Sequence, residues 1–268
     1  MFTKTDILSQ LEAMRAPRGS VVIIHSSLRS VGALDGGAEA LLDALIEYFT
    51  AEGGLLCIPT HTWGNADMEI TLDMESAEND LGVLSTVAIN DGRGVRTENP
   101  THSMVIFGDA ERATAFASLD LNIDSPISPE GCYGQIYRDD GYILLVGVGQ
   151  NKNTFIHTVE EMLDTPHRMT EEKRRFTVRY PGGDVKESYM RWFDESVYGD
   201  VSLRFGKFEI PLRYHGVIVD GFVGNAPTQL CSAKKIMEVL RPIYNNIDGC
   251  DPLADESMIP PRWYCNKS

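Results

Sequence analysis

Short apolar runs alternate along the chain with stretches in which apolar residues recur every three or four positions. The apolar runs, rich in β-branched residues, predict buried strands at 20–25, 55–58, 104–107 and 142–148. The helical spacing predicts helices at 4–14, 38–49, 83–90, 112–117, 131–138, 155–163 and 227–240. Strands that alternate with helices in this way predict an α/β fold, with a mixed central sheet flanked by helices.

The pattern changes after Lys173. Two strand-like runs, 176–180 and 185–189, flank Pro181-Gly182-Gly183-Asp184, which predicts a β-hairpin. A second hairpin is predicted from 214–219 and 222–223, so extra antiparallel strands belong to the C-terminal part. Because no linker or internal repeat divides the sequence, we expect a single domain over residues 1–268.

Acidic residues outnumber basic ones, 39 to 24, which gives a formal net charge of −15. This balance argues against nucleic-acid binding and against a membrane-surface helix. It suits a cationic amine substrate, although acidity also serves solubility. No apolar run reaches the roughly 18 to 20 residues that cross a bilayer. The first 15 residues lack a signal-peptide core, and the five cysteines form no CxxC pair, so we expect a cytoplasmic protein with reduced thiols. The oligomeric state stays open.

Four of the six histidines lie in or near predicted strand ends. His25, His61 and His102 adjoin three predicted strands, and His157 lies in the first turn of the helix that follows the fourth. Because open α/β sheets bind ligands at strand ends, we expect these side chains to converge on one crevice. A single histidine in such a place is more often structural, so their shared placement is what points to chemistry.

His157 carries the sharpest local signal. On a helix, Glu160 and Glu161 lie on its face, three and four residues further on. A carboxylate beside an imidazole fixes its tautomer and raises its basicity, as a general base requires. A surface ion pair is the commoner cause of this spacing, so both interpretations stay open here.

Other chemistries lack their motifs. HExxH is absent, so a zinc site would rest on residue types alone. GxSxG is absent, and Gly147-Val148-Gly149 is no dinucleotide fingerprint because Lys152 stands where the third glycine belongs. Trp63 and Asp67 lie in or beside a long polar stretch, 64–80, where aromatic and acidic groups are suited to a protonated amine. A solvated loop is the alternative.

Several sequence blocks, in this order, resemble the aminoglycoside 3-N-acetyltransferase family, whose antibiotic N-acetyltransferase fold is distinct from the GNAT fold. The blocks are VIIHSSLRSVG at 22–32, GLLCIPTHT at 54–62, NPTHS at 99–103, LLVGVG at 144–149 followed by Asn153, Thr154, His157 and Glu160, and VGNA at 223–226. Each block is weak alone, but together and in order they cover nearly the whole chain.

The resemblance implies direct transfer, in a ternary complex without metal, from acetyl-coenzyme A to the 3-amino group of an aminoglycoside. It implies that His157 is the base and Glu160 orients it, with His102 as a further active-site candidate. The segment that matches the coenzyme A site comprises His25, Ser26, Ser27, Leu28, Arg29 and Ser30. We further expect the cationic amine substrate to contact His61, Trp63, Asp67 and Glu161.

Two positions depart from the family pattern. Thr158 and Val159 stand between His157 and Glu160 where relatives usually read Leu-Ala, and Asn99 stands where many relatives have histidine. Both departures concern the acceptor more than the reaction. Three alternatives therefore stay open: an acetyltransferase for another amine, a metal-dependent amidohydrolase, and a non-catalytic coenzyme A-binding protein.

Overall fold

The computed structural model describes residues 1–265 of the chain. The helices, in chain order, are α1 (Lys4–Ala13), α2 (Leu28–Val31), α3 (Gly37–Thr50), α4 (Val83–Asn90), α5 (Ala110–Ala117), α6 (Cys132–Arg138), α7 (Phe155–Met162), α8 (Glu209–Tyr214) and α9 (Ala233–Tyr244). The strands are β1 (Val21–Ser26), β2 (Leu55–Pro59), β3 (Leu72–Asp73), β4 (Val95–Arg96), β5 (Met104–Phe107), β6 (Tyr142–Val146), β7 (Met169–Arg179), β8 (Val185–Phe193), β9 (Ile218–Val223) and β10 (Ala226–Ser232). Short 3-10 helices cover Trp63–Asn65, Ser118–Asn122, Gln150–Lys152, Val201–Phe208 and Pro261–Trp263.

The main sheet has the strand order β4-β5-β2-β1-β6-β10-β9. Its central strands β2, β1 and β6 are parallel, and the strands outside them pair antiparallel. The chain leaves β1 for β2 on one side, while β6 lies on the other side, so a crevice opens beyond the carboxyl end of β1. Since β5 runs opposite to β2, the amino end of β5 reaches the same edge.

Side chains alternate across the sheet and fill a separate core on each face. In β1, Val21 and Ile23 pack into the core under α5, α6, α7 and α9, whereas Val22 and Ile24 pack into the core under α1, α3 and α4. Helices on both faces explain why the central strands are apolar at nearly every position. Each fully buried side chain of this kind contributes about 1.5–3 kcal/mol.

A second sheet, β3-β7-β8, is built on the predicted hairpin. Its strands extend further than predicted, over Met169–Arg179 and Val185–Phe193. Phe176 and Met190 bury one face of the hairpin against Ile123. The hairpin thereby brings the end of β8 to the crevice. Strand β3 lies within the stretch 64–80, which was expected to be a loop.

The predicted α/β class is confirmed, but two C-terminal elements were predicted wrongly. The run at 214–219 is not a strand, because α8 ends at Tyr214 and β9 begins only at Ile218. The helix expected at 227–240 begins at Ala233. Pro227 instead lies near the start of β10, where its missing N–H costs little, and its carbonyl accepts a hydrogen bond from Gly147 at 2.8 Å. None of the helices within residues 1–265 is long and apolar enough to cross a membrane.

Candidate active site

A crevice of about 850 Å³ opens at the edge where β1 and β2 end and β5 begins. His25, His61, His102 and His157 all line it, so the structure brings together the four histidines singled out in the sequence. His25 lies near the end of β1 and His61 follows β2. His102 precedes β5, whose reversed direction brings its amino end to this edge.

His157 and Glu160 form a hydrogen-bonded pair in α7. Nδ1 of His157 donates to Oε2 of Glu160 over 3.1 Å, because a carboxylate can only accept. This bond leaves Nε2 as the proton-accepting nitrogen of the ring. The ring lies between Phe193 and Phe205, with centroids 4.6 Å away on each side. The imidazole is therefore fixed in both tautomer and orientation.

Glu160 is fully buried and accepts from two further donors. The Tyr244 hydroxyl donates to Oε1 over 2.7 Å, and Nε of Arg168 donates to the same oxygen. Burial raises the pKa of Glu160, but the hydrogen bond from His157 and the charge of Arg168 outweigh burial and hold the pKa below its usual value. Glu160 thus stays negatively charged beside the imidazole.

The other three crevice histidines are neutral. Burial lowers the pKa of His25 to about 4 and that of His102 to about 3, to which the positive charges of nearby histidines add for His102. Burial also lowers the pKa of His61 well below its usual value. His61 Nε2 and the Tyr133 hydroxyl share a hydrogen bond of 2.8 Å. Within the described chain, His157 alone of the four pairs with a carboxylate.

The segment expected to bind coenzyme A forms one wall of the crevice, with one exception. His25, Ser26, Ser27, Leu28 and Arg29 line it. Nε2 of His25 is buried and has no hydrogen-bond partner within residues 1–265, so it is available to a ligand.

Ser30 lies below this wall rather than on it. Its hydroxyl donates to the Ser27 hydroxyl over 3.0 Å. Gly147 packs against it: a Cβ at position 147 would lie 2.4 Å from the Cβ of Ser30. Gly147 also adopts a φ of 66°, which ends β6 two residues earlier than predicted.

Two of the four expected substrate contacts line the crevice and two do not. His61 and Trp63 line it, and the Trp63 side chain is 48% exposed. Asp67 instead pairs with Arg174 outside the crevice. Glu161 points elsewhere because consecutive helical residues project about 100° apart, and it binds Arg191 and accepts from Ser125.

Sequence reasoning missed several charged residues of the crevice. Four carboxylates line it: Asp80, Asp194, Glu195 and Asp200. Two cations line it as well: Lys152 and Arg168. Most of them lie in irregular segments without periodicity, and the hairpin β7–β8 delivers Asp194 and Glu195 from a distant part of the sequence. The one available signal was the chain's acidity. Within residues 1–265, no three His, Cys, Asp or Glu side chains are arranged to hold a metal ion.

An α/β crevice with a fixed imidazole–carboxylate pair at strand ends fits an acyl-transfer enzyme, and comparison with known proteins is specific. The family model for aminoglycoside 3-N-acetyltransferase matches residues 23–244. The chain therefore belongs to the aminoglycoside 3-N-acetyltransferase family and is an acyltransferase.

Individual relatives are distant but match over most of their length. Aminoglycoside N(3)-acetyltransferase IV of Salmonella sp. is 30% identical over 235 residues, which cover 87% of this chain and 84% of that protein. A variant of AAC(3)-IVa in complex with a gentamicin superposes with a TM-score of 0.75 at 25% identity, covering 95% of this chain and 96% of that one. AAC-IIIb in a binary complex with CoASH superposes with a TM-score of 0.73 at 20% identity, covering 88% and 93%.

Proposed function

We propose that this enzyme transfers the acetyl group of acetyl-coenzyme A to the 3-amino group of an aminoglycoside, directly and within a ternary complex. The observation that carries the proposal is the fixed His157–Glu160 pair on a crevice of about 850 Å³ in a member of this family. One relative with a solved structure binds a gentamicin and another binds CoASH, which supports both substrates.

His157 is the general base of the proposed reaction. The amine nitrogen attacks the thioester carbonyl carbon, a C–N bond forms, and the C–S bond breaks. Nε2 of His157 takes the proton that the nitrogen loses, and this proton passes to the departing thiolate. The negative charge of Glu160 stabilises the imidazolium between these steps. Such assistance is typically worth about 10² to 10⁴ in rate, and positioning of amine and thioester supplies much of the remainder.

The donor binds along the wall formed by His25 to Arg29. The buried, neutral His25 donates from Nε2 to the bound thioester or its pantetheine arm, as an uncharged donor in a partly dry site does effectively. Arg29 and Lys152 supply positive charge for the phosphates of coenzyme A. Ser26 and Ser27 offer hydroxyls to the same ligand.

The acceptor binds at the acidic part of the crevice. Asp80, Asp194, Glu195 and Asp200 attract a polycation, and the net charge of −15 reinforces this attraction at long range. These four residues take the role that was expected of Asp67 and Glu161. Trp63 adds an exposed aromatic face against which a sugar ring packs.

Product analysis tests the proposal. The enzyme is incubated with acetyl-coenzyme A and gentamicin- or kanamycin-type acceptors, and thiol release is followed together with the mass of the product. We expect one added acetyl group, assigned to the 3-amino nitrogen by NMR. Acetylation at a different amine would overturn the regiochemistry. Absence of any acetylated aminoglycoside, with coenzyme A binding intact by calorimetry, would overturn the acceptor class.

A further inference from the structure

The contacts of the His157–Glu160 pair continue into the C-terminal segment. Arg168, which donates to Glu160, also donates from Nη2 to both carboxylate oxygens of Asp251, at 2.9 and 2.7 Å. The side chains of Glu160, Arg168 and Asp251 are 0%, 4% and 10% exposed. Asp251 lies beyond the part of the chain that the family model matches, which ends at residue 244.

Local structure holds the Asp251 carboxylate in place. Its Oδ1 also accepts from the backbone N–H of Leu253 at 2.7 Å, and its carbonyl accepts from Ala254. The carboxylate is thus fixed by its own turn before it meets Arg168. A fixed partner orients a guanidinium, since the planar group presents its N–H donors in fixed directions that a carboxylate matches.

The charges of this buried row depend on Asp251. With neutral His157, the row holds two carboxylates and one guanidinium, a net charge of −1. Proton uptake by His157 brings it to zero. Without the Asp251 charge, the row would start neutral and become +1, which a low-dielectric site disfavours.

Other titratable groups face this row from the neighbouring elements. The neutral ones are His25, His61, His102 and Tyr244, the last because burial raises its pKa well above the usual value. Lys207 approaches the Asp251 side and donates to the carbonyls of Pro252 and Asp255. The charged crevice residues Asp194, Asp200 and Lys152 complete the surroundings of His157. All stay the same when Asp251 alone is changed.

We infer that Asp251 is a positioning residue for acetyl transfer: acting through Arg168, it orients Glu160 and favours proton uptake by His157. The inference rests on the proposed function in one respect, namely that His157 is the base. It adds a residue to the machinery that neither the His-x-x-Glu motif nor the matched region contains.

The pH dependence of kcat/KM tests this role. Neutral His157 is the active form, so activity rises with pH along an acidic limb. In Asp251→Asn the midpoint of that limb moves down by about 0.5–1 pH unit, because a negative charge is lost. In Arg168→Gln it moves up, because a positive charge is lost. Asp251→Glu keeps the charge and stays near the wild-type midpoint.

Asp248→Asn is the matched control. Asp248 lies in the same segment but binds Arg262 and Trp263 instead of the buried row, so its midpoint should not move. A merely structural Asp251 would lower the melting temperature of Asp251→Asn and leave its midpoint unchanged, which would overturn the inference. Shifts of Asp251→Asn and Arg168→Gln in the same direction would overturn it as well.

Two further measurements keep the test decisive. If Asp251→Asn is too unstable, the double variant with Arg168→Gln has no unpaired buried cation, and its midpoint should lie below that of Arg168→Gln alone. NMR titration of the His157 ring signals, assigned with His157→Ala, should show the same opposite shifts without any substrate. Absent turnover with intact NMR shifts would refute the proposed function alone, whereas unchanged NMR midpoints would refute the role of Asp251.

Discussion

Replacing Glu160 by glutamine tests the geometry of the base directly. Glutamine has the same shape, and its amide oxygen can still accept from Arg168 and Tyr244 on the side of Oε1. Its NH₂ group then faces Nδ1 of His157, where a donor now meets a donor. The imidazole resolves this conflict by moving its proton to Nε2, which is the nitrogen that must accept a proton from the substrate.

The expected magnitude follows from the lost base. A general base is typically worth about 10² to 10⁴ in rate, so we expect kcat to fall by that factor, or about 3–5 kcal/mol of barrier. The lost charge also weakens the contact with the buried Arg168, by about 2–3 kcal/mol. For a chain of this size the melting temperature should drop by about 4–12 °C.

The assay is steady-state thiol release from acetyl-coenzyme A with a saturating aminoglycoside, at a temperature where both proteins are folded. Glu161→Gln is the matched control: the substitution is the same on the same helix, but Glu161 binds Arg191 and Ser125 away from the crevice. The control should keep its kcat. Turnover of Glu160→Gln within a factor of about 3 of wild type would refute the assigned role, since a general base is worth far more.

Three other outcomes are expected. His25→Phe should raise the KM for acetyl-coenzyme A about tenfold, the worth of one hydrogen bond, with little change for the acceptor; an unchanged KM would remove His25 from the donor site. Stability should fall by about 2 kcal/mol per buried histidine between pH 7 and 5, because the unfolded histidines protonate below about 6.5 whereas folded His25 and His102 do so only near 4 and 3; urea unfolding at the two pH values checks this, and equal stabilities would contradict it. Ile23→Ala should cost about 2–5 kcal/mol in the same assay, and a cost below about 1 kcal/mol would contradict the placement of Ile23 in the core.

The elements that the sequence predicted well are those whose apolar pattern is complete within one element. Strand β2 and helix α7 begin where they were expected, because burial on both faces gives β2 an uninterrupted apolar run and α7 has an amphipathic pattern. The C-terminal third was harder. Pro227 is compatible with a helix start as well as with a strand start, and only the pairing of its strand with β6 and β9 decides between them.

The candidate site shows the same division. His157 and Glu160 are three residues apart on one helix, so local spacing was sufficient to pair them. Arg168 comes from the start of the hairpin segment, and Tyr244 and Asp251 come from the far end of the chain. No local pattern relates these residues, because their proximity depends on how the hairpin and α9 pack. Asp67 and Glu161 failed for the complementary reason: charge alone does not tell which way a side chain points.

The central claim is that His157 is the base for acetyl transfer. The most direct measurement is the rate of thiol release by wild type and His157→Ala, with saturating acetyl-coenzyme A and a gentamicin-type acceptor. The account predicts a loss of at least about 100-fold, with coenzyme A binding by calorimetry unchanged. Turnover by His157→Ala at the wild-type rate would contradict it.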